Sequence, residues 1–429
     1  MTIAKSFETF LENIKVSNYE TIGNRYKEIT KKLNKTYRDT ESETDNCLQV
    51  GSYGRYTGIN GISDLDMLYI MPASKWDEYK NSPKKLLADT RDALKERYPT
   101  TDIVYDRLVV DVNFKDFTFE VQPVFEESDD DGVINYKYPD TKKDGYRITK
   151  PRLEQKAMTD FKNEHGTHHR LLCKMARAWK NHVGVGMGGL LIDTLAYNFL
   201  NDNPDLDRTT FSSFDTLSRD FLEYLKDQPS KDHYQALGSN QDVKIKHHFR
   251  NKAKESYKKA KEACDKIEES ERNDLWRDVF GNKFPKAQSV QDRAFSTYQD
   301  HEQFIEDQYN VDIKYNLEIN CRVEQNGFRP TLLKDFLRSG AWLPHERKLF
   351  FYIENTDAPN GYSVKWKVRN VGDEAKRRHC LRGEIYGSNN GLYERKETSN
   401  FYGPHYVECY LILNNLVVAR DRIEVPIGK

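Results

Sequence analysis

The sequence has few cysteines, no long apolar run and almost no net charge, and each shortage closes off a class of protein. Its six cysteines, at positions 47, 173, 264, 321, 380 and 409, are too far apart in sequence for a zinc knuckle or a redox pair. They are read as reduced thiols of a cytoplasmic protein. No stretch approaches the ~20 apolar residues of a membrane span, and the opening MTIAKSFETF lacks the apolar centre of a signal peptide. A formal net charge of −1 supplies no whole-molecule field toward nucleic acid or a membrane. No internal repeat is present.

What the chain has is an ordinary globular balance, 31% charged and 37% hydrophobic residues over 429 positions, long enough for two or three structural units. The charge is unevenly spread: nine Lys or Arg against three Asp or Glu from Lys244 to Lys266, and five acids in the six residues from Glu126 to Asp131. The lysine-rich stretch 250–270 is read as a helix with a solvated face. Apolar recurrence predicts a helical segment over residues 6–37. Three strand-like stretches follow, Cys47–Val50, Leu65–Met71 and Ile103–Phe125, with a helix over Pro83–Tyr98. The third stretch contains a hairpin, VVDVNF–KD–FTFEVQPVF, turning at Lys115-Asp116. From about Thr159 to Ala263 the pattern is helical. After about 308 it is strand-like again, with Asn414-Asn415 as a hairpin turn.

Residues 51 to 71, GSYGRYTGINGISDLDMLYIM, carry the chemistry. On an extended strand Asp64 and Asp66 point to one face about 7 Å apart. Two such carboxylates can bridge a pair of divalent cations ~4 Å apart, the arrangement used in nucleotidyl transfer. Alone, Asp-x-Asp says little. Gly51-Ser52, twelve residues upstream, sharpens it: glycine lets the backbone approach a ligand, and its amide and the Ser52 hydroxyl can donate to phosphate. A third carboxylate is required from a neighbouring strand. Glu120 in FTFEVQPVF fits, with Asp111 in VVDVNF as its competitor; either would hold the metal or take the proton of an attacking ribose hydroxyl.

These residues, GSYGRYTGI…SDLDMLYIM followed by FEVQPVF, resemble the nucleotidyltransferase core shared by cyclic GMP–AMP synthase, oligoadenylate synthase and the bacterial cGAS/DncV-like nucleotidyltransferases. The helix LLCKMARAWKNH resembles the segment of that family whose basic residues meet the donor triphosphate, which implies Lys174 and Arg177 as nucleotide ligands; their i,i+3 spacing puts them on one helix face. The third acidic position is usually Asp in the animal members and is Glu120 here. WKVRNVGDEA, LRGEIYG and YGPHYVECYLILNNLVVARDRIEVPI resemble the AGS-C sensor domain that accompanies bacterial second-messenger synthases. Trp366, Arg382, Glu394 and His405 are its candidate pocket residues.

The resemblance implies an α/β (α+β) fold: a polymerase-β-like mixed-sheet core (1–160), a helical lobe (161–307) and a β-sandwich-like sensor domain (308–429), with 284–307 as connector. It implies Mg²⁺ or Mn²⁺ as cofactor, ATP and possibly other nucleoside triphosphates as substrates, and a cyclic or linear oligonucleotide product acting on a separate effector in antiphage defence. It also implies a regulatory ligand at the C-terminal domain. Two other readings stand beside it, a nucleotidyltransferase acting on RNA ends or small molecules and a non-catalytic nucleotide sensor.

Overall fold

A computed structural model describes residues 1–61, 63–208, 210–287, 302–378, 380–400 and 402–428, so the expected connector 284–307 lies largely outside the described residues. The chain divides into two compact units: Thr2–Ala178 with Gly188–Ile245, and Trp179–Met187 with Lys246–Lys429 and Met1.

The first unit contains, in chain order, α1 (Ile3–Asn13), α2 (Tyr19–Arg38), β1 (Cys47–Gln49), α3 (Gly51–Gly54), β2 (Asp64–Ile70), α4 (Trp76–Tyr79), α5 (Pro83–Arg97), β3 (Asp102–Tyr105), β4 (Val110–Asn113), β5 (Thr118–Ser128), β6 (Ile134–Asp140) and β7 (Gly145–Thr149). Helices α6 (Pro151–His165), the first part of α7 (His168–Val183), α8 (Gly189–Asp202) and α9 (Phe214–Lys226) follow, with a small hairpin of β8 (His233–Gln235) and β9 (Asp242–Lys244). The sheet runs β1-β2-β5-β4-β3, with β6 on β5 and β7 on β6. Strand β2 joins β5 in parallel, and the other neighbours in the sheet are antiparallel.

Alternation decides which face of this sheet is covered. Leu65, Met67 and Tyr69 of β2, Val110 and Val112 of β4, and Phe119 and Val121 of β5 enter one core with Ile22, Ile29 and Leu33 of α2 and Leu86, Leu87 and Leu94 of α5. The residues between them on each strand are thereby turned to the opposite face. The single helical pattern over 6–37 is two helices. Val16-Ser17-Asn18 are weak helix formers, and the Ile14 carbonyl accepts from the Asn60 amide at 2.7 Å. The long strand-like stretch Ile103–Phe125 is three strands. The first break is an Asx turn, Asp106 Oδ1 accepting from the amides of Leu108 (2.7 Å) and Val109 (3.1 Å). The second is the expected Lys115-Asp116 turn, closed by the Phe114 amide on the Phe117 carbonyl at 3.0 Å.

The second unit contains the end of α7, then α10 (Arg250–Asp265) and α11 (Glu269–Phe280), the first of which covers most of the lysine-rich stretch. The β-rich part follows: β10 (Asn310–Val311), β11 (Leu317–Glu324), β12 (Thr331–Leu332), α12 (Leu333–Ser339), β13 (Lys348–Thr356), β14 (Ser363–Arg369), α13 (Asp373–Arg377), β15 (Arg382–Tyr386), β16 (Arg395–Thr398), β17 (Gly403–Leu413) and β18 (Leu416–Ile427). They form two sheets, β10-β18-β17-β14-β15 and β12-β11-β13-β16. Cys321 and Phe351 of one sheet share a core with Trp366, Val407, Cys409 and Leu411 of the other, which makes a β-sandwich. Asn414 and Asn415 join β17 to β18 with φ of 49° and 63°, the left-handed pair that a tight hairpin demands.

Candidate active site

Strand β1 ends at Gln49, and the chain turns immediately into α3, so Gly51 and Ser52 stand beside the start of β2. The Val50 amide donates to the Asp66 carbonyl at 3.0 Å. Gly51 has φ +65°, and a Cβ placed on it would lie 1.7 Å from Asp66 Oδ2 and 2.6 Å from its Cγ. The Asp66 carboxylate therefore rests on the bare backbone of the Gly-Ser turn. The two halves of the motif, twelve residues apart in sequence, are one place in space.

Register puts a further carboxylate beside Asp66. Asp66 pairs with Glu120 across the parallel β2–β5 ladder, and Asp64 with Thr118; Glu120 pairs in turn with Asp111 across β5–β4. Asp64, Asp66, Glu120 and Asp111 thus share the face opposite the core, each partly exposed. Asp66 and Glu120 are direct neighbours, whereas Asp111 lies one strand further from the Gly-Ser turn. Among the described residues no three His, Cys, Asp or Glu side chains are gathered closely enough to hold a metal ion as they stand. The donor set nevertheless fits a hard divalent cation in kind, being all carboxylate oxygen, and the absent side chain at Gly51 leaves the room that the Asp66 carboxylate occupies.

The basic residues of α7 divide between two environments. Arg177, expected at a triphosphate, is buried: its Nη1 donates to Asp193 Oδ1 (2.6 Å) and its Nη2 to Asp193 Oδ2 (3.0 Å) and the Gly189 carbonyl (3.0 Å). The same carboxylate accepts from Arg55 Nε (2.8 Å) and Thr57 Oγ1 (3.1 Å). Arg55 also approaches Glu154 Oε2 at 3.5 Å, and Ser239 donates to Glu154 Oε1 at 3.2 Å. Burial works to raise the Asp193 pKa, but the two guanidiniums outweigh it and hold the carboxyl well below the usual range. This cluster ties the segment just after the Gly-Ser turn to α6, α7 and α8. The Arg177 guanidinium is engaged there by Asp193 and the Gly189 carbonyl.

Lys174 is different. Burial, and then the positive charges of Lys15, Arg170 and Arg177, hold its ammonium below the ordinary lysine value. Arg170, four residues earlier on α7, lies over the Tyr56 ring at 4.8 Å, and its buried Nε has no hydrogen-bond partner. A lysine and an arginine held close together without an intervening carboxylate attract anions. The sequence reading missed Arg170 and Asp193; the signals were the i,i+4 spacing of Arg170 with Lys174 and a lone Asp inside the apolar run LLIDTLAYNFL.

The four candidate pocket residues of the sandwich separate. Arg382 and His405 line one cavity of about 70 Å³ together with Glu397 and Asn370. Glu394 belongs to a surface groove with Tyr352, Tyr362 and Tyr393. Trp366 is fully buried and donates from Nε1 to Ser388 Oγ at 3.3 Å.

Residues 1–163 match the Second Messenger Oligonucleotide or Dinucleotide Synthetase (SMODS) domain, and residues 299–428 match the Adenylyl/Guanylyl and SMODS C-terminal sensor domain (AGS-C). Together the two matches span more than half of the chain. No curated protein matches it by sequence. Among solved structures it is similar to E. coli MS115-1 CdnC in its complex with HORMA-deltaN, at 14% identity and a TM-score of 0.51 over 66% of this chain and 98% of that one. Vibrio cholerae DncV cyclic AMP-GMP synthase with a linear intermediate (14% identity, TM-score 0.47, 66% and 87% coverage) also matches. So does Rhodothermus marinus CdnE c-UMP-AMP synthase (13%, 0.44, 61% and 95%). At such identities the likeness is one of fold, and the first of the three carries it. With a SMODS domain over residues 1–163 and an AGS-C sensor domain over residues 299–428, the chain belongs to the cGAS/DncV-like nucleotidyltransferases that carry a C-terminal AGS-C domain.

Proposed function

We propose that the chain joins nucleoside triphosphates through a ribose hydroxyl, releasing pyrophosphate, and makes a cyclic or linear oligonucleotide second messenger. The observation that carries this reading is the seating of the Asp66 carboxylate on the Gly51 backbone with Glu120 as its cross-strand neighbour. Gly51 and Ser52 present the backbone amide and hydroxyl to the donor phosphates, and Lys174 with Arg170 neutralises the triphosphate tail. Asp64, Asp66 and Glu120 would hold Mg²⁺ or Mn²⁺. When bound, such ions neutralise the phosphates and make the attacking hydroxyl more acidic. Glu120, the cross-strand neighbour of Asp66, either completes that ion site or takes that proton, while the Arg55–Asp193–Arg177 cluster holds the Gly-Ser turn in register with α7. In functional terms residues 1–160 form the nucleotidyltransferase core, 161–307 the helical lobe, and 308–429 a sensor domain with a regulatory ligand. The product acts on a separate effector in a cytoplasmic antiphage response.

The test is to incubate the purified chain with labelled nucleoside triphosphates and Mg²⁺ or Mn²⁺ and to resolve the products. Oligonucleotide and pyrophosphate are expected, and Asp64→Asn with Asp66→Asn abolishes both while the circular dichroism spectrum is unchanged. Label appearing only on added RNA or small molecules, or full turnover by the folded double variant, overturns the reading.

A further inference from the structure

The outer face of the five-stranded sheet carries charge in register across three strands: Lys367 opposite Glu408 opposite Arg422, Arg369 opposite Tyr406, and Tyr410 opposite Arg420. A face of this kind ordinarily meets water. Here it is one wall of a partly open cavity of about 330 Å³, lined also by α11 with the turn after it, by His182 of α7 and by residues 302–306. Lys367 and Arg420 are almost fully buried. The volume is that of a small-molecule site, but the lining is far more polar than such sites usually are.

Most of these charges are matched within the wall. Lys367 meets Glu302 at 2.7 Å, Arg420 meets Glu306 at 2.8 Å and Glu408 at 2.9 Å, and Asp278 is held by Lys259 at 3.0 Å. What is left over is mainly cationic. Arg277 donates from Nη1 to the carbonyls of Asn282 (3.0 Å) and Phe284 (2.7 Å); Asp274, Glu302 and Asp278 act on it electrostatically, but it closes no ion pair among the described residues. Arg422 engages Glu424 through Nε at 2.8 Å and lies over the Tyr406 ring at 3.5 Å. Lys286 stands exposed at the rim. Phe304 offers a ring flanked by Arg277 at 5.9 Å and Lys367 at 4.8 Å. The one carboxylate in the lining without an ion-pair partner among the described residues is Asp274, exposed at the cavity's edge, its pKa raised by desolvation against the pull of Lys286 and Arg277.

Guanidiniums with spare donors take phosphate oxygens in pairs. An aromatic ring accepts a flat base on a face or edge that no cation covers. A lone carboxylate beside them takes a ribose hydroxyl or a base amino group. We propose that this cavity is a nucleotide-binding site separate from the carboxylate face, with Arg277, Arg422 and Lys286 on the phosphate and Phe304 or Tyr406 against the base. The proposal deepens the reading of residues 308–429 as a sensor. Its test measures binding alone, so it can fail while synthesis stands, and the reverse.

Full-length protein is titrated with AMP in EDTA, where the carboxylate face has no divalent ion, with inorganic phosphate and adenosine run as separate arms. One equivalent of AMP is expected to bind, at least about tenfold more tightly than either fragment. Arg422→Gln and Lys286→Glu weaken it by roughly tenfold and several-fold, as the loss of a charge-assisted contact implies. Ser52→Ala and Asp64→Asn with Asp66→Asn leave it unchanged. Arg277→Gln also removes two bonds to backbone, so it is used only if its melting temperature matches wild type; the exposed Lys286→Glu needs no such condition. The assignment is overturned by no AMP binding, by phosphate binding as tightly as AMP, or by loss of binding in the carboxylate-face variants with retention in Arg422→Gln and Lys286→Glu.

Discussion

At position 51 two constraints meet, a φ of +65° and a carboxylate oxygen 1.7 Å from where a Cβ would stand. Gly51→Ala therefore strains the turn and pushes Asp66 off its seat at once. Since displacement of a reacting group by ~1 Å can cost about 100-fold, the variant should lose at least that in rate with the sheet core intact, as measured by product formation beside thermal melting. Unchanged turnover would separate the Gly-Ser turn from the catalytic carboxylates. Residue-level reading of the sequence reached this pair because strand alternation and glycine chemistry are local rules. It preferred Glu120 to Asp111 on the FEVQPVF ending alone, because both stand on one face of one hairpin; register adds that Glu120 adjoins Asp66 and Asp111 adjoins Glu120. Glu120→Gln should cost about 100-fold or more, and Asp111→Asn only a few-fold. The opposite order in rates would move the third carboxylate to Asp111.

On helix α7 the expected pair, Lys174 and Arg177, meets two different environments. An i,i+3 relation puts Lys174 and Arg177 near each other, but it cannot reveal that Asp193 of α8 waits on the inner side of Arg177. Arg170→Ala and Lys174→Ala should each raise KM for nucleoside triphosphate by ~10-fold or more with a smaller change in kcat, as loss of a charge-assisted contact implies. Unaltered KM in both would place the triphosphate elsewhere. Asp193→Asn should act on stability instead. It strips the counter-charge from two buried guanidiniums, at a cost of about 3–5 kcal/mol, read as a lower midpoint in urea. The pH dependence follows from its depressed pKa: an ionised Asp193 stabilises the fold above its ordinary value of 3.8, and that contribution is lost as pH falls through the lower folded value. Glu154, whose pKa burial raises against the pull of Arg55, has the opposite sign, disfavouring the fold as pH climbs through its folded value. Wild type should thus lose stability more steeply in acid than Asp193→Asn does.

At the scale of the whole molecule, the composition and the switch from helical to strand-like pattern near residue 308 made the β-sandwich legible, because hairpin signals such as Asn414-Asn415 are local. They did not reveal which helical residues belong to the same compact unit as the sandwich, since that depends on packing between segments more than a hundred residues apart. Residues Trp179–Met187 and 246 onward fall in that unit. Its bonds explain why: buried Lys180 donates to Asp312 Oδ1 (2.8 Å) and to the Ile313 carbonyl (2.9 Å), and Asn181 Nδ2 donates to the Val311 carbonyl (2.9 Å). Ile305 likewise shares a small core with Ile313, Tyr410, Ile412 and Val417. A chain ending at residue 307 therefore leaves a lysine and an asparagine on α7 without their acceptors and strips Ile305 of its core. Such a truncation should be poorly soluble, bind the hydrophobic dye ANS and melt below the full chain. Asp312→Ala tests the same junction more gently, with an expected loss of about 2 kcal/mol, discounted because the carboxylate is partly exposed. A truncated chain that stays soluble and melts like the full one would show that the residues up to 307 fold without these bonds, and the boundary near 307 would then be a true domain edge.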